Sequence, residues 1–230
     1  MTIDLNCDMG EAYGIYKCGD DVGIMPLISV ANVACGFHAS DPSVMRQTVR
    51  LAKQHGVRVG AHPSYPDRDG FGRRRMEMEG EELTACIIYQ VGALKGFLDA
   101  EGMALNHVKP HGALYGAAWR DEKVARAIAH AANTFGVPLM GMSGTGHEKV
   151  YGDLGVPIIF ETYVDLDYND AGQVVITREL AWKPRCARIR LVNSAASSTL
   201  DISSAPAMTV PAPPWPGTPS CTAPELAEAR

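Results

Sequence analysis

Ionisable side chains follow most of the predicted strands, at positions where they could act together. DLNCDMGE places Asp8 and Glu11 after the first strand, and SVANVACGFHASD places His38 and Asp41 after the second. The later strands are followed by His62, Asp67 and Arg68 (third), Lys109 and His111 (fourth) and Glu161 (sixth). A single histidine beside a strand is usually structural, and Asp41 is in the position of a helix cap. Repetition over several strands favours one joint site.

One chemistry that suits this set is metal binding. Imidazoles with a carboxylate, here His38, His62 and Asp8, are typical ligands of a divalent ion that polarises a carbonyl or activates water. Their spacing along the chain matches no compact metal motif.

The other chemistry is proton transfer without a metal. His111 or a carboxylate would act as general acid or base, while Lys109 and Arg68 hold anionic oxygens. The residues alone leave both chemistries open.

The elements that position these side chains are alternating strands and helices. Gly56, Gly102, Gly136 and Gly155 each stand between a helical segment and a short apolar run, as expected of a glycine that ends a helix. Apolar stripes predict three of the helices, with Met45, Val49 and Ala52, then Leu83, Ile87, Val91, Leu94 and Leu98, then Val124, Ile128, Ala132 and Phe135. This alternation predicts a parallel sheet, open or closed into a barrel. The segments after strands, residues 63–80 and 110–120, are predicted as long polar loops, where βα barrels carry their active sites.

Composition limits the partners and the organisation. A net charge of −5 excludes general attraction to nucleic acid or anionic membranes and favours a small anionic substrate. Six scattered cysteines, with neither a C-x-x-C pair nor a signal peptide, predict a cytoplasmic protein. Residues 1–180 are predicted to form one domain, and the Pro-, Ser- and Ala-rich residues 181–230 a poorly ordered tail.

Taken together, the motifs resemble those of the LamB/YcsF family, which includes the A subunit of the bacterial-type 5-oxoprolinase. The matching stretches are DLNCDMGE, SVANVACGFHASD, GAHPSYPDRDGFGRR, YQVGAL, HVKPHGALY and the FETYVDLDY region. The resemblance implies a seven-stranded βα barrel similar to the glycoside hydrolase and deacetylase superfamily. The chain departs from the family pattern at Gly116 and at 164–166. No match to the family's last strand follows Leu180, so the barrel is predicted to be incomplete at its C-terminal end.

The resemblance also implies an activity, the ATP-dependent opening of 5-oxo-L-proline to L-glutamate together with two partner subunits. Asp8, Glu11, His38, His62, Lys109 and His111 would then be catalytic, with Asp41, Asp67, Arg68 and Glu161 binding substrate. Two alternatives remain, a metal-dependent amide or carbohydrate N-deacetylase-like hydrolase and a catalytically impaired binding subunit.

Overall fold

The computed structural model describes residues 3–78, 80–163, 166–169 and 174–175, and the chain divides into two compact units, Met1–Thr162 and Tyr163–Arg230. The first unit contains a six-stranded sheet in the order β1-β2-β3-β4-β5-β6. Its strands are β1 (Asn6–Met9), β2 (Val30–Ala34), β3 (Arg58–His62), β4 (Leu105–Val108), β5 (Leu139–Gly141) and β6 (Ile158–Phe160). Its helices are α1 (Asp21–Ile24), α2 (Pro42–His55), α3 (Gly80–Ala100), α4 (Gly112–Arg120), α5 (Glu122–Phe135) and α6 (Gly146–Asp153), with a 3-10 turn at Met25–Leu27.

All five neighbouring strand pairs are parallel, which confirms the predicted sheet. In a parallel sheet the carboxyl ends of all strands meet at one edge. The register places Asp8 opposite Asn32 and Ala34 opposite His62. The sheet is curled into a half-barrel, so this edge is concave and its side chains converge.

The helix ends for which the sequence carries a capping signal lie where that signal indicates. Asp41 caps α2 by accepting hydrogen bonds from the backbone N–H groups of Ser43 and Val44, and Pro42 occupies the first turn. Gly56 ends the helix with a φ of 69°, in the left-handed region. Gly102, Gly136 and Gly155 likewise have positive φ, so all four predicted stop signals are confirmed.

Helix α3 is long and apolar enough to cross a membrane by length and composition alone. Its stripe of Leu83, Ile87, Val91, Leu94 and Leu98 is nevertheless completely buried in the hydrophobic core. The apolar character of this helix is accounted for by the core of the domain.

The expectation of a polar loop over residues 110–120 is wrong, because α4 begins at Gly112. Alanine and leucine are strong helix formers. Here Leu114, Ala117 and Ala118 lie buried on one side of the helix. The polar residues KPHG at its start led to the prediction of a loop in place of this short amphipathic helix. Residues 63–78, in contrast, contain no helix or strand.

In the second unit, β7 (Asp167–Tyr168) and β8 (Val174–Val175) pair as a short antiparallel ribbon. The backbone N–H of Tyr163 donates to the Tyr168 hydroxyl at 2.7 Å. The seventh barrel strand and the tail predicted for residues 181–230 lie outside the described residues.

Candidate functional site

The carboxyl edge of the sheet brings together the side chains predicted at the strand ends. We call this group the strand-end cluster: Asp8, Glu11, His38, His62, Lys109, His111 and Glu161. Asp8 lies in β1 and Glu11 just after it, His38 lies between β2 and α2, and His62 ends β3. Lys109 directly follows β4, His111 is the residue before α4, and Glu161 directly follows β6. All seven lie in contact with another member of the cluster.

Three buried imidazoles form the centre of the cluster. The rings of His38 and His111 stack with centroids 3.7 Å apart, and His62 meets His111 edge-on at 4.8 Å. Nδ1 of His111 lies 3.0 Å from Nε2 of His62. Their side chains are no more than 3% exposed, whereas Glu11 is 17% and Asp8 38% exposed. A molecule arriving from solvent therefore meets the two carboxylates before the histidines.

Backbone carbonyls fix two of these rings. Nδ1 of His62 donates to the carbonyl oxygen of Lys109 at 2.7 Å, and Nε2 of His111 donates to that of Phe71 at 2.8 Å. Phe71 has a φ of 54° and is followed by Gly72 at 65°. A Cβ on Gly72 would lie 2.7 Å from Cδ2 of His111, so only glycine permits this approach of the loop to the ring.

Lys109 joins two carboxylates from distant strands. Its Nζ lies 3.0 Å from Oε2 of Glu161 and 3.4 Å from Oδ1 of Asp8. It also donates to Oδ1 of Asn6 at 3.2 Å. Lys109 and Glu161 have side chains only 6% and 4% exposed, so each neutralises a charge that would be costly to bury alone.

The carboxylates and imidazoles have shifted pKa values. Burial would raise the pKa of Asp8, but His62, Lys109 and the hydrogen bond from Asn32 lower it far below its usual range. Burial raises the pKa of Glu11. Burial, together with the neighbouring His62, lowers the pKa of His38 to about 2 and that of His111 to about 3. His38 and His111 are therefore neutral near pH 7 while Asp8 is ionised.

A second layer of polar residues inside the sheet supports Asp8, and sequence reasoning missed it. Nδ2 of Asn32 donates to Oδ1 of Asp8 at 2.9 Å and to Oδ1 of Asn6 at 2.7 Å. Oδ1 of Asn32 lies 2.8 Å from Nε2 of the buried His107. A Cβ on Gly60 would lie within 2.3 Å of three atoms of the His107 ring, so the glycine makes room for this histidine. The polar residues Asn32 and His107 inside the apolar runs of β2 and β4 were the sequence signal that could have revealed this layer.

The structure places the other predicted substrate-binding residues in supporting positions. Both carboxylate oxygens of Asp41 accept backbone N–H groups, from Ser43 and Val44 of the helix cap and from Gly14. Asp67, only 4% exposed, accepts hydrogen bonds from the backbone and side chain of Arg74.

Arg68 completes this supporting group. Its guanidinium donates to the carbonyl oxygens of Gly36 and Ser40, and lies 3.8 Å from the centroid of the Tyr13 ring. These contacts order the loops beside the cluster, and the binding of substrate by Asp41, Asp67 and Arg68 stays a prediction.

Four members of the cluster could hold a metal ion. One ligand atom from each of Glu11, His38, His62 and His111 lies within 4.8 Å of the others. Two of the three predicted metal ligands, His38 and His62, belong to this group. Asp8 does not, although its Oδ2 lies 3.3 Å from Nε2 of His62.

Comparisons with known proteins agree with this architecture. Residues 3–201, which include the whole cluster, match the family model described as the LamB/YcsF family. The chain is 54% identical over 181 residues to the lactam utilization protein lamB of Emericella nidulans, covering 78% of this chain and 71% of that protein. It is 50% identical over 176 residues to the A subunit of 5-oxoprolinase from Thermus thermophilus, covering 76% and 70%. The crystal structure of the lactam utilization protein from Thermus thermophilus matches with a TM-score of 0.76 at 49% identity, covering 77% of this chain and 72% of that one.

Proposed function

Because this chain belongs to the LamB/YcsF family, we propose that it is the A-type subunit of a 5-oxoprolinase and that the strand-end cluster is its active site. One observation carries the proposal. The cluster is buried, internally charge-paired and open to solvent at Asp8 and Glu11, and all of it lies within the residues that match the family. Relatives at 46% to 54% identity are named either as the A subunit of 5-oxoprolinase or as a lactam utilization protein.

The substrate, 5-oxo-L-proline, presents a ring N–H, an amide oxygen and a carboxylate. The carboxylates of Asp8 and Glu11, the two members of the cluster most accessible to solvent, are suited to accept a hydrogen bond from the ring N–H. His111, held by the carbonyl of Phe71, is suited to move a proton to or from the reacting groups. Lys109 and Arg68 contact protein oxygens here, so an anionic substrate oxygen would compete with those contacts.

Opening the lactam would be coupled to ATP in the assembled enzyme with two further subunit types. ATP, 5-oxoproline and two waters give ADP, phosphate and glutamate. Transfer of the γ-phosphoryl group of ATP to the amide oxygen releases ADP and makes the carbonyl carbon a better electrophile. One water adds to that carbon, the C–N bond breaks as the ring nitrogen takes a proton, and the second water hydrolyses the resulting acyl phosphate to glutamate and phosphate. The cluster would bind the lactam and place these protons.

Reconstitution with the B- and C-type subunits tests this function. The wild-type chain should support 5-oxoproline-dependent formation of ADP and glutamate. His111→Ala should lower kcat by about a hundredfold or more, the contribution typical of general acid–base groups. His130→Gln, a change at an exposed histidine on α5, should not. Full activity of His111→Ala would rule out its acid–base role.

One observation favours a second candidate, an ATP-independent, metal-dependent amide or carbohydrate N-deacetylase. It is the group of three histidines and Glu11 described above. Hydrolysis of an N-acyl substrate by the chain alone, without ATP, would favour this candidate. Failure to turn over 5-oxoproline with both partner subunits and ATP would favour a binding subunit without catalytic activity.

We also propose that the protein works in the cytoplasm. Cys7, Cys18, Cys35 and Cys86 are free thiols, which is usual in a reducing compartment. Fractionation of cells with an antibody to the chain tests this location.

A further inference from the structure

Two ring nitrogens of the cluster face each other in a way that hydrogen bonding between neutral histidines does not explain. A carbonyl oxygen can only accept a hydrogen bond, so Nδ1 of His62 and Nε2 of His111 must carry the hydrogens directed at Lys109 and Phe71. In a neutral imidazole the other nitrogen then has a lone pair and no hydrogen. Nε2 of His62 and Nδ1 of His111, 3.0 Å apart, therefore point lone pairs at the same space. That contact is favourable only with a positive species between them, either a proton or a metal ion.

The surrounding atoms distinguish these two species. Oε1 of Glu11 lies 3.7 Å from Nδ1 of His111 and 3.3 Å from Nε2 of His38. Four ligands arranged tetrahedrally at about 2.1 Å from an ion are separated from one another by about 3.4 Å. Three of the six distances among the four ligand atoms are 3.0 to 3.7 Å, and all six are within 4.8 Å, so movements of about 1 Å would give that spacing. A proton on Nε2 of His62 would satisfy Nδ1 of His111 and Oδ2 of Asp8, which lies 3.3 Å away, but would leave Nε2 of His38 and Glu11 unaffected, whereas an ion would satisfy all four donors.

We propose that Glu11, His38, His62 and His111 bind one divalent first-row transition-metal ion per chain. The ligands come from four different strand ends, which the sheet brings together at one edge. Metal-binding histidines usually donate their second N–H to a carbonyl or carboxylate, as His62 and His111 do.

The chemistry of the donors selects the ion. Three imidazoles and one carboxylate suit Zn²⁺ or Co²⁺, whereas Mg²⁺ and Ca²⁺ prefer oxygen ligands. Within the cluster, the carboxylates Asp8, Glu11 and Glu161 outnumber the one ammonium, that of Lys109, and this favours a cation. The guanidinium groups of Arg68 and Arg73 lie nearby and act against it. Binding of the ion does not require the lactam chemistry, but an ion on Nδ1 would occupy the one nitrogen of His111 left for proton transfer, so in a metal-loaded chain another group would move the proton.

The test measures binding by the full chain without partner subunits or ATP. Protein stripped with a chelator is titrated with Zn²⁺ against a chromophoric competitor, and with Co²⁺ while visible absorption is recorded. One Zn²⁺ per chain and the intense ligand-field bands of four-coordinate Co²⁺ are expected, with no comparable binding of Mg²⁺. His62→Gln and His111→Gln should each weaken Zn²⁺ binding at least about a hundredfold, more than the loss of an outer contact does. The control, His130→Gln, should bind as the wild type does.

Two outcomes would overturn the proposal. One is the absence of stoichiometric Zn²⁺ and Co²⁺ binding by the wild-type chain, which would leave a shared proton between His62 and His111. The other is unchanged affinity in both cluster variants. If the variants do not fold, as judged by circular dichroism, the Co²⁺ spectrum of the wild-type chain decides. Because activity is not measured, a chain that binds metal but fails in reconstitution would contradict only the proposed function.

Discussion

The histidines of the cluster differ in what holds them, although all three are buried. His62 and His111 each have one nitrogen fixed by a backbone carbonyl, which leaves the other nitrogen directed into the cluster. For His38, Nδ1 has no hydrogen-bond partner among the described residues, and its Nε2 contacts Glu11. The orientation of His62 and His111 is therefore set by hydrogen bonds to the backbone.

Asp67 provides a residue-scale prediction about pH. The hydrogen bond from the Arg74 side chain, together with backbone N–H donors, lowers the pKa of Asp67 to about 2. An unfolded aspartate has a pKa of about 3.9, so the folded state binds fewer protons between these values. The stabilisation is fully present above about pH 4 and is lost as the pH falls toward about 2. Asp67→Asn should thus lower the free energy of unfolding at about pH 6, and its difference from wild type should shrink below about pH 4 in urea titrations.

The exposed neighbour Asp69 is the matched control for this prediction. Asp69→Asn should leave the dependence of stability on pH as it is in the wild type. A difference between Asp67→Asn and wild type that stays constant from about pH 6 to about pH 3 would mean that the Arg74 contact does not stabilise the ionised form.

Residue types at strand ends could be predicted to form a site because parallel strands have a common carboxyl edge. The supporting roles of Asn32 and His107 could not be predicted, because they depend on which side of β2 and β4 faces the inside of the curled sheet. Strands buried on both faces read as continuous apolar runs without an alternation that marks the inside. The role of Gly60 follows only from the proximity of His107 across the sheet.

At the scale of elements, the helix ends were the most predictable features. A cap depends on neighbouring residues alone, so Asp41, Pro42 and Gly56 define α2 without knowledge of the fold. Helix α4 was missed because its stability depends on packing Leu114, Ala117 and Ala118 into the hydrophobic core, which the local sequence does not reveal. Features set by neighbouring residues can thus be predicted from the sequence, whereas features that depend on tertiary packing cannot.

A pair of glycine substitutions tests this local origin. Gly56 has a φ of 69° and no atom within 4 Å of the point that a Cβ would occupy, so Gly56→Ala should cost about 1 kcal/mol through backbone strain alone. Gly92 lies on the exposed face of α3 in ordinary helical conformation with similar open space, so Gly92→Ala should stabilise by about 0.5–1 kcal/mol. Urea unfolding measures whether each substitution lowers or raises the free energy of unfolding. Stabilisation by Gly56→Ala would contradict the left-handed cap.

At the scale of the whole described sheet, the contacts of Lys109 show how strongly the sheet curls. Neighbouring strands lie about 4.8 Å apart, so in a flat sheet β1 and β6, five steps apart, would be separated by about 24 Å. Yet Asp8 in β1 and Glu161 after β6 both lie within 3.4 Å of the same Nζ. The ion pairs thus cross the concave carboxyl edge and join β1 to β6, the first and last strands of the six-stranded sheet.

A double-mutant cycle tests whether this crossing stabilises the domain. Lys109→Met should cost about 3–5 kcal/mol, since it removes the ammonium that lies 3.0 Å from the buried carboxylate of Glu161. Adding Glu161→Gln removes that charge, so the double variant should be more stable than the sum of the single effects by about 1–3 kcal/mol in urea unfolding. The exposed pair Lys95–Asp99 on α3 is the control, with an expected coupling of only about 0.3–0.5 kcal/mol. Equal coupling in both pairs would mean that the contact between Lys109 and Glu161 is as weak as a surface ion pair, and that backbone hydrogen bonding and core packing alone hold the curl.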